Sequence, residues 1–67
     1  MTIQEIQKRV DEIAAVTHDD ETAHGREDKL RADFIAHVRT NPNDPELSAK
    51  AALVLSTDDM NFARWCA

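Results

Sequence analysis

The sequence predicts an all-α protein: a small three-helix bundle with a short C-terminal helical turn or docked tail, in one domain of 67 residues. Three observations carry this. Alanine is the commonest residue and glycine occurs once, a balance that favours helix because alanine gives up no side-chain entropy there. Large apolar residues recur at spacings of three and four, with no sustained alternation of the kind a half-buried strand requires. Stop and start signals then divide the chain into three segments and a tail.

The first helix is expected over 2–16. Thr2 and Glu5 form a T-x-x-E capping pattern, in which each side chain can satisfy a free backbone amide of the first turn. Ile3, Ile6, Val10 and Ile13 follow at spacings of 3, 4 and 3, an apolar seam about two heptads long. A seam this short packs inside its own bundle or joins two copies of the chain.

The second helix is expected over 20–40. Asp19 and Asp20 supply N-caps and, with Glu21, place negative charge where the helix dipole favours it. Ala23, Leu30, Phe34 and Val38 make a helical stripe that Ile35 widens. Gly25 lies inside this segment at a cost of about 1 kcal/mol relative to alanine, which a helix of this length tolerates. The turn Asn41-Pro42-Asn43-Asp44-Pro45 ends it, because a residue before proline is driven out of the α region.

Asp44 followed by Pro45 reads as an N-cap and a first-turn proline, opening a third helix over 45–56. Its buried face is expected to be Leu47, Ala51, Val54 and Leu55. Ser56-Thr57-Asp58-Asp59 reads as a stop or as the cap of one further turn. The tail, 57–67, gathers Met60, Phe62 and Trp65 into its last eight residues. So apolar a tail is expected to dock, on the bundle or on a partner.

Size and charge narrow the function classes. A chain this short buries only about 60% of its unfolded surface, too little for separate substrate and cofactor sites. An enzyme is therefore not expected, nor is a cofactor. A net charge of -5 disfavours direct nucleic-acid binding, which uses basic surfaces. No segment approaches the roughly 18 apolar residues of a membrane span, and no signal-peptide pattern opens the chain. The one cysteine, Cys66, excludes an internal disulfide and suits a reducing cytoplasm.

Few constellations could carry chemistry. Glu21 and His24 form E-x-x-H, the spacing that puts two metal ligands on one helical face. An antiparallel first helix could bring Glu12 opposite His24, and a homodimer could complete a carboxylate-bridged site. The competing reading is an acidic first turn with a solvated histidine, and these residue types recur by chance in any acidic helix. His18-Asp19 resembles the His-Asp pair of metal-dependent phosphohydrolases, whose sites need a much larger domain. His37, between Phe34 and Val38, reads as a residue bordering the core. No glycine-rich phosphate loop and no paired C-x-x-C is present.

Phe62, Arg64 and Trp65 form a second group, since tryptophan and arginine concentrate at the centres of interfaces. A lone tryptophan in a small protein also serves as a core plug.

The segment Asp19-Asp20-Glu21-Thr22-Ala23-His24 through Glu27-Asp28-x-Leu30, with the ending Phe62-Ala63-Arg64-Trp65-Cys66-Ala67, resembles small uncharacterised proteins of actinobacteria and their bacteriophages, which show D-D-E-x-A-H-x-x-E-D-x-L early and F-A-R-W-C-A at the end. The resemblance covers about half the chain. It implies a cytoplasmic accessory protein, phage-encoded or bacterial, and no functional residue.

The expected function is that of an acidic helical interaction module, binding another protein or itself as a homo-oligomer. Ile3, Ile6, Val10, Ile13, Phe62, Arg64 and Trp65 are its candidate contact residues. Two alternatives are an acidic decoy of a nucleic-acid-binding protein, using the five acids against one base between Asp19 and Asp28, and a dimeric metal site using Glu12, Glu21 and His24.

Overall fold

The computed structural model describes residues 1–64. The chain forms α1 (Ile3–Ala14), α2 (Asp20–Thr40) and α3 (Leu47–Leu55), followed by a 3₁₀ turn, Ser56–Asp59. α1 packs against α2, α3 and the 3₁₀ turn, and α2 packs against α3. The expected all-α three-helix bundle with a short further turn is what the chain adopts. Its longest dimension, 36 Å, follows from α2, whose 21 residues span about 31 Å at 1.5 Å per residue.

Side chains close the helix ends as the sequence suggests. Thr2 Oγ1 accepts the Glu5 N–H at 3.1 Å. Asp19 accepts both the N–H and the hydroxyl of Thr22, at 3.2 and 2.9 Å, and these bonds, backbone N–H first, hold its carboxyl below the ordinary aspartate range. At the far end of α2 the Asn41 side chain donates to the His37 carbonyl at 3.0 Å, satisfying one of the carbonyls that a helix C-terminus leaves open.

Two boundaries differ from expectation. α1 stops at Ala14, two residues early, because the Val16 N–H bonds to the Ile13 carbonyl and the Asp19 N–H to the Val16 carbonyl; these tight three-residue turns replace the last helical one. α3 begins at Leu47, not at Pro45. Asp44 Oδ1 accepts the Glu46 N–H at 2.8 Å, and this side-chain turn precedes the first α-helical bond, from the Lys50 N–H to the Glu46 carbonyl.

The core consists of Ile6, Val10, Ile13, Ala23, Leu30, Val54 and Phe62, with Met1, Val16, Phe34, Leu53 and Met60 packed around it. Ile35 and Leu55, expected on buried faces, are instead 69% and 55% exposed. The stripes run Ala23–Glu27–Leu30–Phe34 on α2 and Leu47–Lys50–Val54 on α3, continued by Thr57 in the 3₁₀ turn. Ile35 and Leu55 each stand one residue, about 100° of helix rotation, off those lines. Glu27 and Lys50 take the inner positions and are 1% and 5% exposed.

Lys50 is tolerable inside because Asp44 and the more distant Glu46 neutralise it. Asp44 also bonds to His37 Nε2 at 2.7 Å. The Lys50 ammonium, then the Glu46 N–H and His37, hold the Asp44 carboxyl far below its usual range. The turn that ends α2 is thereby tied to α3 through one carboxylate.

Gly25 lies within α2, and a Cβ built there meets nothing within 4 Å. G25A should therefore raise stability by about 1 kcal/mol in urea denaturation. An unchanged or lower midpoint would show that this helix needs the glycine for a reason its own packing does not supply.

Candidate functional site

The tail through Arg64 docks on the bundle, and it does so through α2. Phe62 enters the core at 8% exposure. The Ala63 N–H donates to Asp20 Oδ1 at 3.0 Å. Arg64 then turns back along α2 and grips Glu27 with both arms, Nε to Oε1 at 2.8 Å and Nη2 to Oε2 at 3.1 Å. The same guanidinium donates to the Thr57 carbonyl at 2.7 Å and covers the Phe62 ring at 3.9 Å from its centroid. Such a fork-to-fork pair fixes orientation as well as charge.

Glu27 is the buried member. Burial pushes its carboxyl up, but the hydrogen bonds from Arg64 and Thr57 and the charge of Arg31 outweigh this and hold it below the ordinary glutamate range. Arg31 Nη2 stands 3.5 Å from Glu27 Oε2, reaches Thr57 Oγ1 at 3.3 Å and pairs with Asp58. One carboxylate thus links α2, the 3₁₀ turn and the tail.

The acidic segment is largely consumed by such contacts. Asp19 caps α2, Asp20 holds the Ala63 amide, Glu27 holds Arg64, and Asp28 stands 3.2 Å from His24 Nε2. Glu12 and Glu21 both line an open groove of about 610 Å³ between α1 and α2. Arg9, Arg26 and Lys29 share that groove, whereas His24 does not line it. Arg9 and Lys29 both bond to Asp33, at 2.9 and 2.7 Å, so their charge is largely spent within the fold. Among the described residues no group of three or more His, Cys, Asp or Glu side chains could hold a metal ion. The candidate set Glu12, Glu21 and His24 is therefore not assembled within one chain.

The seam on α1 is core, not surface. Ile6, Val10 and Ile13 are buried in the core, so these three are not available to a partner in the folded chain, whereas Ile3 is half-buried and lines a shallow groove on α1 with Gln4, Gln7 and Lys8. Phe62 and Arg64 are likewise engaged internally, and Trp65 lies outside the described residues. The exposed apolar surface is elsewhere. Ile35 and Leu55, the large hydrophobic side chains that stay exposed among the described residues, stand together on the α2/α3 face. With Arg31, Phe34, Ala51 and Val54 they border a hollow of about 240 Å³. No helix of the described residues is long and apolar enough to cross a membrane.

No protein-family model matches the chain, and neither a curated protein nor a solved structure matches it.

Removing Arg64 leaves a buried carboxylate with only Arg31 beside it. R64A should cost about 3 kcal/mol, near the low end for a broken buried pair because the guanidinium is 31% exposed. The double variant E27L/R64A should cost less than the two single changes added together, which chemical denaturation of the four proteins reads directly. The pH dependence has a definite sign. Glu27 is depressed in the folded chain, so its contribution is present above the unfolded value of about 4.3 and lost as pH falls through the folded one. The gap between wild type and E27Q, measured at pH 7, should narrow as pH falls below about 4.3 and close once pH is below the depressed folded value; a gap that does not narrow on acidification would contradict the pairing.

Proposed function

We propose that this chain is a protein-interaction module that acts by binding rather than by catalysis, and that its contact surface is the α2/α3 face around Ile35 and Leu55. The observation that carries the reading is the exposure of these two side chains side by side at the rim of one hollow. Single exposed apolar residues are ordinary on a protein surface, whereas a contiguous apolar patch beside a concavity marks a contact site. The rim is polar, with Arg31 paired to Asp58, and an apolar centre with a polar rim is the usual anatomy of an interface.

The tail supports this reading by a different route. By seating Phe62 in the core and Arg64 on Glu27, it completes the core without using Ile35 or Leu55. Of the five acids of the Asp19–Asp28 run, Asp19 caps α2, Asp20 accepts the Ala63 amide and Glu27 is paired with Arg64, which leaves Glu21 and Asp28 as the acids an acidic decoy would use. A cytoplasmic accessory role in an actinobacterium or one of its phages, as the early and terminal motifs imply, is compatible with a binding module of this size.

A photo-crosslinking amino acid in place of Ile35 tests the surface, with Lys8 on the exposed side of α1 as the comparison position. Irradiation in the producing cell should give discrete adducts from position 35 and none from position 8. Equal labelling at both positions, or none at 35, would contradict the assignment.

A further inference from the structure

The tail is seated on the bundle as a bound peptide would be. Among the described residues, no backbone–backbone hydrogen bond joins Asn61–Arg64 to any of the three helices. The segment is held instead by the Phe62 ring in the core, by the Ala63 N–H on Asp20, and by the Arg64 guanidinium on Glu27 and the Thr57 carbonyl. Its conformation is also its own. Arg64 lies over the Phe62 ring, and its Nη1 donates to the carbonyls of Met60 and Phe62 at 3.4 and 3.3 Å. An aromatic residue two positions before an arginine thus forms a compact recognition unit, and a unit organised in advance loses less entropy when it docks.

The slot that receives the segment keeps a cation in reserve. Glu27 is buried, and losing its partner would ordinarily strand the charge. Arg31 Nη2, however, already stands 3.5 Å from Glu27 Oε2. The buried Nε of Arg31 has no hydrogen-bond partner among the described residues, and a buried donor left unpaired is costly. A short swing of the Arg31 guanidinium onto the vacated carboxylate would satisfy both groups. The slot therefore has two arrangements, one closed by Arg64 and one by Arg31, which is what a site that exchanges its occupant needs.

We infer that this slot binds a segment of another protein carrying an aromatic residue two positions before an arginine, and that the chain's own tail fills it as a displaceable inhibitor. The seated tail defines the ligand class. The slot offers acceptors, the carboxylates of Glu27 and Asp20 and the Thr57 carbonyl, so it demands donors. A two-armed grip selects a guanidinium over an ammonium, and the place of Phe62 takes an aromatic ring. Aromatic and arginine anchors of this kind dominate the energy of interfaces. The tether holds the tail at an effective concentration in the millimolar range, so an outside segment enters only when the tail's hold is loosened. A second copy brings the same sequence, but its tail is sequestered in the same way, whereas a segment of a different protein is free. The slot is separate from Ile35 and Leu55 and does not depend on that surface.

A peptide with the sequence of Met60–Arg64, blocked at both ends and titrated into the ¹⁵N-labelled chain, tests the inference. R64K keeps the charge of the tail but loses the two-armed grip. The peptide should bind R64K, and R64A where that variant folds, at least about tenfold more tightly than wild type. As it binds, the Ala63 N–H signal should move to the position of a free amide, because the incoming segment takes Asp20. The peptide with alanine for its arginine or its phenylalanine, and one of scrambled order, should not bind; nor should the original bind E27Q/R64K. Equal affinity for wild type and R64K, no binding to R64K up to about 1 mM, or equal binding of the scrambled peptide overturns the inference. An R64K that fails to fold by circular dichroism also overturns it, since the tail would then be an indispensable part of the core. Sedimentation equilibrium at the same concentrations reads the remaining occupant: a wild type that doubles its mass of 7.5 kDa would put a second copy's tail in the slot and overturn the assignment to a different protein.

Discussion

The grip of Arg64 on Glu27 is the constraint around which the rest of the molecule is arranged. A carboxylate that is 1% exposed in a chain this small would be untenable alone, since an unpaired buried charge costs several kcal/mol. Its partner comes from 37 residues away, so the pair can form only when the last described segment lies along α2. Once it does, Phe62 is delivered to the core and the Thr57 carbonyl gains a donor. Through Arg31 and Asp58 the 3₁₀ turn is fixed to α2 as well. The ion pair therefore specifies where the tail goes, a role distinct from any net gain in stability.

A second buried pair does the same for the opposite end. Asp44 holds Lys50 and His37 together, fixing the α2–α3 turn against the helix that follows it. Between these two polar clasps runs a thin apolar core in which α1 contributes Ile6, Val10 and Ile13. With most of the seam, the described part of the tail and both clasps engaged internally, the large apolar side chains left exposed among the described residues are Ile35 on α2 and Leu55 on α3. The candidate site exists because the inner stripes leave Ile35 and Leu55 outside.

The sequence made the three helices, the break before Asp19, the proline turn and the docking of the tail legible, because each rests on local signals that act within a few residues. The inward faces were only partly legible. Reading apolar residues alone places Ile35 and Leu55 on the buried sides, whereas the periodicity of all residues puts Glu27 four after Ala23 and three before Leu30, and Lys50 three after Leu47 and four before Val54. Those spacings were present in the chain, but the charges masked them. What local spacing could not give was the partner of each charge. Arg64 is remote from Glu27, and only the folded chain brings them together. The same limit moved the candidate contact surface from the α1 seam, which the sequence marks most clearly, to a face defined by what the core excludes.

The most direct test of this account is the ¹⁵N–¹H resonance of Arg64 Nε. A guanidinium held by a buried carboxylate should show a slowly exchanging, downfield-shifted Nε–H in the wild type at pH 7, and that signal should collapse to the position and exchange rate of a solvated arginine in E27Q and on acidification through the depressed folded-state value of Glu27, where the carboxylate takes up its proton. An Arg64 Nε–H that exchanges like a free arginine in the wild type, or that is unaffected by E27Q, would contradict the central role given to the pair.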